Sequence, residues 1–186
     1  MKIIGITGSI ASGKTTAANL MADKKYPLFS ADIIVSNLYK KKVFINILIK
    51  KFKLDKKQKI KDQIKKILKK NINNLYKLES VIHPFVRKEM INFLKKKNKI
   101  LFLEIPLLLE SKINKYFDKV IFIGASRKLR LKRYVNKNGD KKIFNLLDKR
   151  QLLPSFKKNI CDYTINNNYS LAILKKNVKN FMKLHE

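Results

Sequence analysis

Residues 8–15 read Gly8-Ser9-Ile10-Ala11-Ser12-Gly13-Lys14-Thr15, a G-x-x-x-x-G-K-T string. It stands directly after the apolar run Ile3-Ile4-Gly5-Ile6 and directly before the helix-forming Ala17-Ala18-Asn19-Leu20-Met21. The string demands a strand that ends where a helix begins, and that demand narrows the fold more than anything else in the chain. Glycines let backbone N–H groups curl around a polyphosphate, and the helix start adds further donors and the positive end of a dipole. Lys14 supplies a point charge to the outer phosphates, and the Thr15 hydroxyl can ligate Mg²⁺. An ordinary glycine-rich strand-to-helix turn is the alternative, and the flanking patterns weigh against it.

Further strand-like runs follow. Pro27-Leu28-Phe29-Ser30-Ala31-Asp32 reads as a short strand ending in a carboxylate, Lys99-Ile100-Leu101-Phe102-Leu103-Glu104 as a buried one ending in another, and Val120-Ile121-Phe122-Ile123-Gly124 as a third; Tyr163-Thr164-Ile165 is weaker. Helical patterns lie between them, such as Ile45, Leu48, Ile49 and Phe52, then Ile60, Ile64, Ile67 and Leu68. Short apolar strands alternating with helices predict an α/β fold, a parallel sheet of five strands covered on both faces. Ligands of such sheets gather at the carboxyl ends of the strands, where the glycine loop, Asp32 and Glu104 fall. The stretch from about 40 to 97 is helical in pattern and lacks strand signals. It predicts a helical insertion within one domain, 1–186, whose core is about 1–39 and 98–186.

Composition excludes several classes. With 186 residues the chain suits one domain with a sizeable core. No apolar stretch approaches a membrane span and Met1 leads straight into the first strand, so a cytoplasmic protein without membrane contact is expected. Cys161 is the sole cysteine, so no internal disulfide forms, and no Cys/His cluster has metal-ligand spacing. The formal charge of +31 invites a nucleic-acid reading. Against it, 39 of the 44 basic residues are lysines, spread along the chain in runs such as Lys40-Lys41-Lys42 and Lys95-Lys96-Lys97 with no nucleic-acid-binding motif around them. Lys, Asn and Ile share A/T-rich codons, so base bias at tolerant surface positions accounts for the lysine coat, and no specific nucleic-acid partner is expected. The five arginines, Arg87, Arg127, Arg130, Arg133 and Arg150, are then the informative cations, because lysine cannot replace a bidentate fork.

A phosphate loop alone is compatible with a GTPase, an ATPase motor or a small-molecule kinase. The GTPase reading wants N-K-x-D after a later strand, and Asn136-Lys137-Asn138-Gly139 has glycine at the carboxylate position. A motor is normally larger. A small kinase needs a carboxylate to orient an acceptor hydroxyl and basic residues that close over the transferred group. Asp32 is the candidate for the first task; it also suits an N-cap for a helix from Ile33 onward, and the two roles are compatible. For the second, Arg130, Arg133 and Lys137 share a sector of roughly 60° on a helix after the fourth strand, which points to a lid over about 126–150 rather than a merely solvated basic face.

Taken in order, several strings resemble the dephospho-coenzyme A kinase family. Ser30-Ala31-Asp32 is similar to its D-A-D, and Leu78-Glu79-Ser80-Val81-Ile82-His83-Pro84 to its L-E-x-x-x-H-P. Glu104-Ile105-Pro106-Leu107-Leu108-Leu109-Glu110 is similar to D-x-P-L-L-F-E; Arg133, Arg150-Gln151 and Cys161 to Asn167 resemble the remaining pieces, so the likeness runs through most of the chain. It implies a P-loop kinase-like sheet with a helical substrate-binding insertion and a lid, and transfer of the ATP γ-phosphoryl to the ribose 3′-hydroxyl of dephospho-coenzyme A with Mg²⁺. Catalysis would fall to Asp32, Lys14 and Arg133. Gly8, Ala11, Ser12, Gly13, Lys14, Thr15 and Thr16 would bind ATP, with Thr15 on the metal. Asp32, His83, which with Pro84 is expected to open a helix, and Arg87 would hold the acceptor, and Arg130, Arg133 and Lys137 would belong to the lid. Another small-molecule or nucleotide kinase, or a nucleic-acid-binding P-loop protein, are the alternatives. Three departures stand out: Ser30 replaces a carboxylate, Glu104 is one methylene longer than the usual Asp, and Lys137 stands where a second lid arginine is usual. Between Lys50 and Lys70 the match is poor, with Lys61 the candidate for the family's arginine.

Overall fold

The computed structural model, described for residues 1–185, begins with β1 (Lys2–Gly8), the loop 9–13 and α1 (Lys14–Ala22). Then come β2 (Leu28–Ser30), α2 (Ala31–Leu38), α3 (Lys42–Phe52), α4 (Ile60–Lys70), α5 (Ile72–Leu94) and β3 (Ile100–Glu104). The chain continues through β4 (Lys119–Gly124), α6 (Arg127–Val135), α7 (Lys141–Arg150), α8 (Pro154–Ile160), β5 (Tyr163–Asn166) and α9 (Leu171–His185). All strand pairs are parallel, as the alternation of apolar strands with helices predicts, and the structure sets them in the order β2-β3-β1-β4-β5. Register aligns Ser30, the end of β2, and Ile6, two residues before the end of β1, with Glu104.

Two sets of contacts organise the chain, one joining Met1–Ser30 to the segment from Lys96, the other within Ala31–Lys95. In the sheet-bearing unit, Ile4, Ile6, Ile100, Phe102, Ile121 and Ile123 bury one sheet face under Ala17, Ala18 and Met21 of α1 and Leu174, Val178 and Phe181 of α9. Ala17 and Ala18 are fully covered, and such small side chains hold α1 close to the sheet. A leucine at Ala17 would overpack that seam at a cost of about 1–3 kcal/mol.

The helical unit has its own core of Leu38, Phe44, Leu48, Leu54, Ile64 and Leu78. Phe44 meets Tyr39 and Phe85 edge-on, with ring centroids 5.3 and 5.7 Å away.

Three local expectations are corrected. Asp32 does not end a strand: β2 stops at Ser30 and α2 starts at Ala31, placing Asp32 in the first turn of that helix rather than at its N-cap, where its charge still complements the helix dipole. His83-Pro84 does not open a helix but lies inside α5. The Asn71 side chain caps α5 by accepting from Asn73 N at 2.8 Å, and Leu78, Val81, Ile82 and Phe85 keep the helix on its core across the one amide that Pro84 cannot donate. Lys137 does not share a helical face with Arg130 and Arg133. The helix α6 ends at Val135, and the chain turns away through Asn138, with φ 58°, and Gly139, where a side chain would collide with the Tyr134 ring.

Candidate active site

Around the phosphate loop the backbone does what the glycines permit. Gly13 caps α1 with φ 92°, a conformation that suits glycine, and a Cβ there would collide with the Asn167 amide. A Cβ on Gly8 would come 2.5 Å from the Ile123 carbonyl oxygen. Ser12 N donates to Ser9 O at 3.1 Å, and the first bond of α1 runs from Ala17 N to Gly13 O. Gly13 has no side chain to cap with, so the first amides of α1 are left to an anion. Lys14 is buried and its Nζ donates to Ser9 O at 3.2 Å, which places its charge within the loop. The Ser12 hydroxyl is buried without a hydrogen-bond partner, an orphan that a phosphate oxygen would satisfy.

Beside the loop, the Thr15 hydroxyl donates to Glu104 Oε1 at 2.6 Å and the Ser30 hydroxyl to Oε2 at 2.9 Å. Glu104 is completely buried, and each of its two carboxylate oxygens accepts one short O–H bond. A carboxylate at position 30 would face Glu104 as a like charge; a serine supplies a donor instead. Among the described residues no three His, Cys, Asp or Glu side chains cluster to hold a metal. Thr15 and Glu104 are hard oxygen donors, and Mg²⁺ commonly takes one or two such groups and completes its shell with phosphates and water, so these residues fit it.

The two lid arginines diverge. Arg130 is buried and committed: its Nη1 donates to Asp148 Oδ1 at 2.6 Å and to Ile10 O at 3.3 Å, and its Nε to Ala125 O at 3.1 Å. Arg127 takes the other Asp148 oxygen at 3.1 Å, and both guanidinium groups lie against the Phe144 ring. Arg130 therefore braces the loop from behind, its charge balanced by Asp148. Arg133 is half-buried and reaches the loop directly, Nη2 donating to Asn167 O at 3.0 Å and Nη1 to Ser12 O at 3.5 Å. Burial lowers its pKa, but a guanidinium stays charged.

Three supports of the loop escape a reading of the letters. Asn167 Nδ2 donates to Ser12 O at 2.8 Å, while its own amide is tied to Gly124 O at 2.7 Å. Gln151 Oε1 accepts from Ile10 N at 2.7 Å. Asp148 balances Arg127 and Arg130. Gln151 and Asn167 both lie in the family-like strings, but nothing in a string says which backbone atom a side chain meets. The loop, Thr15, Glu104 and Arg133 belong to the sheet-bearing unit; Asp32, His83 and Arg87 belong to the helical one, where all three are exposed and His83 and Arg87 sit four residues apart on one side of α5.

A glycine loop leaving the central strand of a parallel five-stranded sheet, with a buried carboxylate on its threonine, assigns the chain to the P-loop kinases. A family model for dephospho-CoA kinase matches residues 2–172. A dephospho-CoA kinase of Fusobacterium nucleatum is 33% identical over 189 residues, covering 96% of each chain. Among solved structures, a Thermus thermophilus protein superposes with TM-score 0.79 at 25% identity over 100% of this chain and 98% of its own. The dephospho-CoA kinase of Campylobacter jejuni does so with 0.65 at 27% identity over 97% and 95%. The chain belongs to the dephospho-coenzyme A kinase family, ATP-dependent kinases that act at the final step of coenzyme A biosynthesis.

Proposed function

We propose that this chain transfers the γ-phosphoryl group of ATP to the ribose 3′-hydroxyl of dephospho-coenzyme A, with the residue roles that follow. Backbone amides from Gly8 to Thr16 cradle the donor phosphates and Lys14 neutralises the outer ones. Thr15, with Glu104 behind it, would hold a Mg²⁺ ion, which would offset the charge of the donor phosphates. Asp32 orients the 3′-hydroxyl. An ionised Asp is a weak base for a ribose hydroxyl, and a loose transition state asks little activation of the nucleophile, so alignment is the larger part of its role. Arg133 neutralises charge on the group in flight. The carrying observation is its guanidinium resting on the Ser12 carbonyl and the Asn167 carbonyl, which puts a fork-shaped cation on the loop that holds the donor.

The helical unit 31–95 serves as the acceptor-binding insertion, with His83 and Arg87 as nucleotide contacts, and 126–150 as the lid, in which Arg130 is an internal brace. A cytoplasmic location fits; among the described residues no helix is long and apolar enough to cross a membrane. An acceptor screen read by ADP release tests the reading. Purified protein with ATP and Mg²⁺ should release ADP with dephospho-coenzyme A and form coenzyme A. Turnover of shikimate or a nucleoside monophosphate, and none of dephospho-coenzyme A, refutes it.

A further inference from the structure

Ile10, in the middle of the phosphate loop, is gripped on both of its backbone polar groups. Gln151 Oε1 accepts from its N–H at 2.7 Å, and Arg130 Nη1 donates to its carbonyl oxygen at 3.3 Å. The next residue, Ala11, has φ 58°, a left-handed conformation that costs an alanine energy and lasts only where its surroundings impose it. The clamp on Ile10 fixes the peptide that leads into it.

Gln151 is itself tied down from outside the site. It follows α7 directly, and the next amide, Leu152 N, donates to Glu110 Oε1 at 2.8 Å. Glu110 sits in the segment after β3, which β1 anchors twice just before the loop begins: Ile105 N donates to Ile6 O at 3.0 Å and the Thr7 hydroxyl to Pro106 O at 3.1 Å. The same Glu110 oxygen faces the Lys157 ammonium of α8 at 2.7 Å, with side chains 3% and 0% exposed. This is a charge contact without a hydrogen bond: neither the ammonium nor Glu110 Oε2 has a hydrogen-bond partner. Two buried charges so poorly satisfied are a weak source of stability, because an apolar pair of similar size escapes the desolvation cost. What the pair does supply is a fixed acceptor for Leu152 N, one residue from the side chain that holds the loop.

We propose that Glu110, held by Lys157, is a positioning residue for ATP: it fixes residues 151–152 so that Gln151 holds Ile10 and keeps the loop amides aimed at the donor phosphates. Glu110 itself touches no substrate. Its effect passes along Leu152 and Gln151 to Ile10, all within the sheet-bearing unit. The inference rests on the loop holding ATP and is independent of which acceptor the enzyme uses.

Two paired substitutions remove both charges at once and so leave no lone buried ion. Glu110→Gln with Lys157→Met keeps an acceptor for Leu152 N; Glu110→Met with Lys157→Met does not. Calorimetry of Mg-ATP binding, without acceptor, should show wild-type affinity for the first and about tenfold weaker affinity for the second, the scale of one lost hydrogen bond. Melting temperatures of both should stay near wild type, since removing the charges offsets the lost bond. Gln151→Ala should also weaken ATP about tenfold, and adding it to Glu110→Met/Lys157→Met should weaken ATP no further, because both act through the same amide. In steady state the KM for ATP should rise in the same pattern while the KM for the acceptor holds. Wild-type ATP affinity in Gln151→Ala, an equal loss in the two paired variants, or losses that add in the combined variant overturn the proposal. So does a Glu110→Met/Lys157→Met protein that no longer folds, which makes the pair a strut. A wild-type protein that binds no ATP overturns the donor site and this inference together.

Discussion

Glu104→Gln is the most informative single change in the site. The side chain is wholly buried and accepts two hydroxyl bonds, 2.6 Å from Thr15 and 2.9 Å from Ser30. Hydrogen bonds to a charged acceptor are worth about 1.5–3 kcal/mol each, and neutral ones about 1 kcal/mol. Glutamine keeps one carbonyl acceptor for Thr15, and its NH₂ can donate to Ser30 once that hydroxyl rotates, so no buried polar group is orphaned. A neutral amide is also cheaper to bury than a carboxylate. The net loss of stability is then about 1–2 kcal/mol, which in a chain of this length lowers Tm by about 2–8 °C. Catalysis should lose far more, because the amide cannot offset the charge of a metal on Thr15. We expect kcat/KM for Mg-ATP to fall about 100-fold, equivalent to about 2.7 kcal/mol, and the Mg²⁺ concentration needed for half-maximal rate to rise. Initial rates of ADP release across a Mg²⁺ titration, beside a melting curve, measure both. Ser30→Ala is the control: it deletes one hydroxyl bond to the same carboxylate, should cost about 1 kcal/mol of stability, and should leave the Mg²⁺ dependence unchanged. A Glu104→Gln enzyme that loses the expected stability yet keeps its rate within threefold and its wild-type Mg²⁺ curve refutes the reasoning, leaving Glu104 a strut between β3 and α1.

Asp32→Asn, at an exposed position in the first turn of α2, should leave Tm and ATP affinity near wild type while kcat falls about 10²–10⁴-fold; equal losses in ATP binding and turnover would make Asp32 structural instead. Cys161 should be inert at neutral pH: burial pushes its thiol up to about 11, with Asp162 and Glu110 adding to the shift and Lys157 opposing it. Iodoacetamide labelling of the native protein should therefore stay slow at pH 8 and accelerate only as the pH nears that value. The raised value means the folded state keeps a proton that the unfolded thiol, ordinarily titrating near 9, gives up. Its contribution to stability is complete below about pH 9 and is lost as pH rises through about 11, so Cys161→Ser should flatten the fall of Tm over that window.

What could be read from the letters depended on how far apart in sequence the interacting groups lie. The phosphate loop was fully legible, because a strand, five linking residues and a helix start are contiguous and each letter has a local backbone reason. The parallel sheet and the position of Glu104 at a carboxyl end were legible too, since alternation and burial point to them, whereas the order β2-β3-β1-β4-β5 was not. That Glu104 holds Thr15 and Ser30 was not, because those partners lie 89 and 74 residues away and meet it only through sheet register. Pro84 misled for a related reason. Proline favours a helix start as a local preference, and the apolar face from Leu78 to Phe85 overrode it by packing.

The arginines show the same limit in a form that bears on function. Helical periodicity correctly placed Arg130 and Arg133 on neighbouring parts of α6, and both reach the phosphate loop. Their roles differ because of what else each one meets. Asp148, eighteen residues on, occupies Arg130 and leaves it a brace with its charge balanced, whereas Arg133 donates to the carbonyl oxygens of Ser12 and Asn167. A carbonyl orients a guanidinium without neutralising it. Of the two, Arg133 therefore keeps its charge available to a phosphoryl group while being held against the loop, and that difference in partners, invisible in the spacing, is why we propose Arg133 and not Arg130 for the reaction.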